Sequence, residues 1–493
     1  MNFAKQKWSR IGSFTFDFPF TTIFSILGIV LLYRASFSGF NHVVLLLVGE
    51  DSLFKTTALV ASILSVVFWE ILTYRKPYIF RLIKEKVKRS FFLKLDNGYI
   101  RFWLIAISVN YLFTLNVLEY QALATQILSS FGILAVYPIL SDLRTTLLGI
   151  SCPEVVNVGD YISCGDRGNN WTYPSILLSL RALSINQNTA IPIIFLTLLL
   201  LTVVLHLLLR KVSFGHFILL ISLLNLPPFL LVAERGNLDI FIFTIILSVI
   251  LLLKDTQTNR YILILCAALI SFAGLLKFYP LIGVLPLAYL SMRKVIHFRR
   301  STITFIVALA FVTLLLLIGD LPLLMQNEVI DLSGSTGLGN LVALAIGLDN
   351  TKLVSFAGSL FILVLIIAVF HKKLWAATAF YSELSMTMRI QLLLTSLIVT
   401  APWIITTNYY YRLILLWPLI FCITKFSTQN SHSSINLIVL VPTFLSYVLV
   451  FRTFAIVQNI LLIPIYLLAI FFVTRELGEI HSQSKFRRSQ FPL

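Results

Sequence analysis

Apolar residues run along this chain in blocks of membrane-spanning length, and the polar residues fall between the blocks. A helix needs about 20 residues to cross about 30 Å of hydrocarbon at 1.5 Å per residue. By that measure the pattern predicts spans at about 19–37, 56–74, 102–120, 191–209, 214–233, 239–253, 261–277, 280–292, 302–319, 353–370, 391–407, 412–424, 436–452 and 456–473. Backbone groups in hydrocarbon must find partners within their own segment, so such blocks fold as helices. The expected fold class is all-α: a polytopic integral membrane protein of about 14 transmembrane helices.

Charge orients this pattern. Segment 75–101 holds nine Lys or Arg against Glu85 and Asp96, and later spans return to Arg210 and Lys211, Lys254, the RKVIHFRR run from Arg293, His371 with Lys372 and Lys373, Lys425, and a tail with Lys485, Arg487 and Arg488. These basic ends all fall on the cytoplasmic side only if the apolar segment 122–140 does not cross, so it is expected to lie at the outer interface. Both termini are then inside. Residues 1–101 form an accessory two-span hairpin with a basic cytoplasmic loop, in which Arg34 and Glu70 pair or snorkel. Residues 102–473 form the transmembrane core, and 474–493 a cytoplasmic tail. The basic N-terminus is followed by no small-residue cleavage site, which predicts a retained first span.

Composition agrees with this picture. The chain is 58% hydrophobic and 12% charged, with a mean hydropathy of +0.93, which leaves a soluble protein too little polar surface. The net charge of +17 follows from the cytoplasmic loops and does not imply nucleic acid. Of four cysteines, Cys266 and Cys422 lie in apolar runs as packing residues. Cys152 and Cys164 share the loop 121–190, where an outside location would permit a disulfide or leave two thiols.

That loop also carries Asp142, Glu154, Asp160 and Asp166 against Arg144, Arg167 and Arg181, without the basic excess of an inner loop. A second outer loop, 320–352, holds Glu328, Asp331 and the run SGSTGLGN, which suits a mobile segment over a site.

Three spans are too short. Only 14 residues separate Asp239 from Lys254, 15 separate Lys277 from Arg293, and 12 separate Arg412 from Lys425. Measured from their cytoplasmic ends, these charges stand roughly 18–23 Å up, short of the outer surface, where a charge needs a wet protein-lined site. Each also has a plainer role. Asp239 with Asn237 could cap a helix, Lys277 could sit at a helix carboxyl end, Arg412 could snorkel beside Tyr409, Tyr410 and Tyr411, and Asp142 could cap or pair within its loop.

Gathered in one pocket, Lys and Arg would hold a phosphate and an opposed carboxylate would act as general base. The seven histidines show no zinc spacing, and there is no P-loop or GxGxxG, so no metal or nucleotide cofactor is expected. The donor is then expected to arrive through the membrane as a lipid-linked phosphate.

Five segments, SDLRTTLLG at 141–149, NNWTYPSILLSL at 169–180, AERGNLDIFIF at 233–243, LLKFYPLIGVLPL at 275–287 and YYYRLILLWPL at 409–419, resemble the polyprenyl-phosphate-sugar-dependent glycosyltransferases of the GT-C superfold, in particular glycosyltransferase family 87. The resemblance implies a GT-C-like architecture with an extracytoplasmic first core loop. It implies a plasma (inner) membrane enzyme that moves a sugar from a polyprenyl-phosphate donor to a hydroxyl of a glycan or glycolipid acceptor, with inversion. It places the base on Asp142 and substrate binding on Arg144, Tyr173, Glu234, Arg235, Asn237, Asp239, Lys277, Tyr279, Tyr411 and Arg412. In place of a GxDPY-like turn the chain has the two-cysteine insert SCPEVVNVGDYISCGD. Competing readings are a lipid-linked oligosaccharide polymerase or ligase, and a transporter or flippase.

Overall fold

A computed structural model describes residues 98–117, 128, 140–164, 170–210, 212–253, 259–293, 299–320, 335–336, 381, 384–405, 408–430, 441–448 and 455–490. The expected spans 19–37, 56–74 and 353–370 lie outside the described residues, as do Arg34, Glu70, Asp166, Arg167, most of 122–140, most of the loop 320–352, and all but 441–448 of the span 436–452. The described residues are mostly helical. In chain order the helices are α1 Gly98–Val117, α2 Ser141–Ser151, α3 Ala190–Leu209, α4 Phe214–Leu224, α5 Pro227–Arg235, α6 Asp239–Leu252, α7 Arg260–Leu276, α8 Val284–Arg293, α9 Arg299–Ile318, α10 Met386–Ile405, α11 Leu416–Asn430, α12 Val441–Val448 and α13 Ala455–Gln490. Two-residue strands, β1 Ser335–Thr336 and β2 Asn408–Tyr409, pair antiparallel.

Among the described residues, four stretches are long and apolar enough to cross a membrane: Gly98–Leu115, Gln187–Leu209, Arg300–Ile318 and Ile460–Glu479. The block expected to cross as one span at 214–233 is instead two helices, α4 and α5, bent by 45°. Pro227 and Pro228 lack the N–H that would continue the helical ladder, so α4 stops at Leu224 and α5 starts anew. Helices α6, α7 and the stretch Tyr279–Met292 are apolar but short, at 10–17 residues. The last helix, α13, runs unbroken past the expected span 456–473 and on to Gln490.

The chain divides into two compact units, one of Met1–Ile139, Leu198–Glu234 and Thr424–Val450, the other of Leu140–Thr197, Arg235–Ile423 and Phe451–Leu493. In the first, Arg101 on α1 is buried and donates to Leu209 O at 2.9 Å and Val212 O at 2.7 Å. Leu209 ends α3 and Val212 lies in the turn that follows, so the guanidinium ties this turn to α1. Its planar face lies over the Phe217 ring at 5.0 Å. Nearer the middle of α1, Asn110 donates to Thr202 Oγ1 at 3.1 Å.

In the second unit α10 packs along α13, with Trp403 stacked on Tyr466 at 4.4 Å and Tyr381 on Phe472 at 5.5 Å. Arg389 ends this seam, gripping Glu476 through two nitrogens and Glu479 through one, while Tyr289 also donates to Glu476. Short helices α6, α7 and α8 assemble beside α9 and α10, and Gln391 donates to Ile250 O at 2.8 Å. Gly283 permits a close approach there, since a Cβ on it would meet Leu394 at 2.9 Å.

Candidate active site

The stretch ahead of α3 builds a platform for α2. Cys152 and Cys164 form a disulfide, one of the two outcomes the loop allowed. Asp160 Oδ2 accepts from the N–H groups of Val156 and Asn157, and Gly159 and Asp160 exchange backbone bonds with Trp171. Arg181 donates to the carbonyls of Ile150, Cys152 and Val155, so it clamps the end of α2 to this knob rather than balancing a loop acid. Trp171 is buried against Gly149, where a Cβ would meet its ring at 2.5 Å.

Asp142 and Arg144 stand in the first turn of α2, two residues apart, and both are half-buried. Positions two apart on a helix do not face each other, so they are not a local ion pair. Leu140, before the helix, has a left-handed backbone at φ 59° although it carries a buried branched side chain. Backbone strain of this kind persists only where packing enforces it. The packing partner is Gly236, itself at φ +62°, whose hydrogen faces Leu140 and Leu143. A Cβ on Gly236 would lie 3.0 Å from Leu143 Cβ.

Gly236 ends α5 and turns the chain so that Asn237 and Asp239 face α2 and α7. Asn237 Nδ2 donates to Asp142 Oδ2 at 2.8 Å. Its Oδ1 accepts from Lys277 Nζ at 3.0 Å and from the Asp239 N–H at 3.1 Å. Lys277 Nζ also meets Asp239 Oδ2 at 2.8 Å, and the Tyr279 hydroxyl donates to Asp239 Oδ1 at 2.6 Å. Arg412 Nε lies 3.9 Å from Asp239 Oδ2, with its guanidinium 5.9 Å from the Tyr279 ring centre. Five sequence-predicted residues thus converge on or adjoin Asp239, namely Asn237, Lys277, Tyr279, Arg412 and, through the amide, Asp142.

The local sequence explains the convergence. Lys277 leaves α7 in an extended conformation, and the 3-10 turn Tyr279–Gly283 begins beside Pro280, which forbids further α-helix. Arg412 sits in another such turn, Tyr410–Leu415, ahead of α11. The Asp239 side chain does not cap α6, whose N-cap position is Leu238; its N–H donates to Asn237, and its carboxylate has no exposed surface and turns to Lys277 and Tyr279.

The other candidates are placed differently. Tyr173 packs edge-on to Trp171 at 5.5 Å. Burial, reinforced by the Asp142 carboxylate, pushes its phenol up, so the hydroxyl stays protonated beside the acid. Arg235 is half-buried, and its buried Nε finds no hydrogen-bond partner among the described residues. Glu234 is buried and closes a segment of the other unit. Tyr411 belongs to the turn Tyr410–Leu415, and its side chain lies outside the described residues.

Gly149, Trp171 and Gly236 are the positions the sequence did not single out. Gly236 had one signal, a glycine immediately after a helix-ending charge. The others depend on contacts made only after folding. No protein-family model, no curated protein and no solved structure matches the chain.

Proposed function

We propose that this chain is a GT-C-like membrane glycosyltransferase that takes a sugar from a polyprenyl-phosphate carrier at the outer face of the plasma membrane and joins it to a hydroxyl of a glycan or glycolipid. The fourteen-span arrangement with an extracytoplasmic first core loop belongs to the same proposal. One observation carries it. A half-buried carboxylate, Asp142, is joined through a single amide to a buried group containing Lys277 and Arg412. General-base transfer from a lipid phosphate needs this pairing of an accessible acid with clustered cations.

In the proposed reaction Asp142 removes the acceptor hydroxyl proton as that oxygen bonds to the anomeric carbon. The bond from that carbon to the phosphate oxygen breaks, and the electron pair leaves with the polyprenyl phosphate. Arg235, Lys277 and Arg412 offset the charge that gathers there. A single displacement inverts the anomeric centre and needs one base, unlike the two carboxylates of a glycosidase.

The test is incubation of the purified protein with a panel of radiolabelled polyprenyl-phosphate sugars and a membrane-lipid extract. Labelled product with inverted linkage is expected. No transfer from any member of the panel, with protein that is monodisperse and folded, overturns the proposal.

A further inference from the structure

We infer that Asn237 is a positioning residue for Asp142 rather than a substrate contact: it aims the carboxylate and keeps Lys277 from neutralising it. This rests on the reading of Asp142 as base.

The hydrogen bonds fix which way the amide faces. Its oxygen accepts from two donors, Lys277 Nζ at 3.0 Å and the backbone N–H of Asp239 at 3.1 Å. Neither donor can accept in return, so the oxygen must point toward them and the NH₂ toward Asp142 Oδ2, at 2.8 Å. Asn237 is 3% exposed, and its amide oxygen and one amide N–H are engaged by protein, which leaves little surface for a ligand. The carboxylate it holds is half-buried, so the second Asp142 oxygen is the one left to meet an acceptor.

The same amide separates two charges. Lys277 already has a full partner in Asp239 at 2.8 Å. Were position 237 empty, the ammonium would stand beside two carboxylates with nothing to assign it to one. A Lys–Asp142 ion pair would put an ammonium in place of the amide and weaken the carboxylate as a base. A neutral side chain that accepts on one side and donates on the other keeps Lys277 on Asp239 and leaves Asp142 aimed. Changes at Lys277 are therefore transmitted to the base through one side chain.

Two substitutions separate positioning from binding. Asn237→Asp keeps an acceptor for Lys277 and for the Asp239 N–H, removes only the donor to Asp142, and sets two carboxylates against each other. Asn237→Ala removes all three contacts. With the best polyprenyl-phosphate sugar of the panel, Asn237→Asp is expected to lower kcat about 10- to 100-fold, the value of one hydrogen bond to a charged group, with donor KM changed less than about threefold. A raised donor KM at unchanged kcat overturns the assignment, because it makes Asn237 a substrate contact.

A second measurement needs no turnover: reaction of Asp142 with a water-soluble carbodiimide and an amine, read by peptide mass spectrometry. The carboxyl oxygen adds to the carbodiimide carbon as a proton passes to the carbodiimide nitrogen, and the amine then displaces the urea; two facing carboxylates share the proton this step needs, so Asn237→Asp is expected to raise labelling of Asp142 several-fold over the parent protein. Equal labelling in both overturns the positioning role. Absence of turnover in the parent protein, with the labelling difference intact, sinks the glycosyltransferase reading alone.

Discussion

Lys277 Nζ lies 2.8 Å from Asp239 Oδ2, a carboxylate with no exposed surface. The two residues come from different helix ends, α7 and α6, and the Tyr279 hydroxyl takes the other oxygen of the same acid. Both oxygens of Asp239 are thereby held by protein donors, with Arg412 at the margin of the group. Asp239 therefore anchors the cations, and Asp142 is the carboxylate with surface to spare.

Removal of that anchor is expected to harm the fold before it harms chemistry. Asp239→Ala leaves Lys277 and Arg412 without their shared counter-charge, and breaking a buried pair in this way costs about 3 kcal/mol or more. Thermal unfolding in detergent should show a clear loss of stability. An unchanged unfolding temperature would mean that Asp239 is not the anchor.

Asp142→Asn should behave in the opposite manner. The amide still offers an oxygen to Asn237, so folding and yield are preserved, but it cannot take a proton. Transfer is expected to fall by about 10²- to 10⁴-fold, measured as product formed per folded enzyme with donor binding nearly intact.

Among the described residues Arg235 has no ion pair, and its buried Nε has no hydrogen-bond partner. Arg235→Ala should change unfolding stability by less than about 0.5 kcal/mol. If the guanidinium waits for a phosphate, donor KM rises about tenfold or more. Donor titrations of parent and variant decide this.

Gly236→Ala tests the packing of Gly236 against the start of α2. The φ of +62° and the 3.0 Å approach to Leu143 make the change unfavourable on both counts, and the left-handed backbone alone costs about 1–2 kcal/mol. The added methyl should displace α2 and lengthen the Asn237–Asp142 bond. Activity should fall more than stability does, as read by turnover against thermal unfolding.

The disulfide closes a loop of sequence separation 12, worth about 3 kcal/mol by loop-closure entropy. Cys164→Ser should raise the susceptibility of 153–163 to limited proteolysis. Turnover should fall only in part, because Arg181 and Trp171 still tie the knob to α2.

Much of the candidate site was legible in the chain because length and charge constrain each other in apolar sequence. Asp239, Lys277 and Arg412 were singled out by spans too short to carry them to the surface, and all three meet. The break at Pro227 and the unbroken run of α13 were missed for opposite reasons. Hydropathy averages over a proline bend, and it assigns no helix to a polar stretch that can nevertheless continue one already begun. Arg181 looked like a loop charge, since nothing local reveals that three carbonyls would be presented to it.

The sequence by itself determined that this is a helical protein with helices fit to cross a membrane, and it marked the charges that such a setting makes expensive, because hydrocarbon-length apolar blocks and stranded ions have few alternatives. Which charge serves which was decided only by tertiary structure. Asp239 and Asp142 are both acids at helix starts, and their difference comes from what packs around each: one is closed in by Lys277 and Tyr279, the other is held at its edge by the amide of Asn237. Burial and hydrogen-bond direction are properties of neighbours brought together across 95 residues, and no local pattern encodes them.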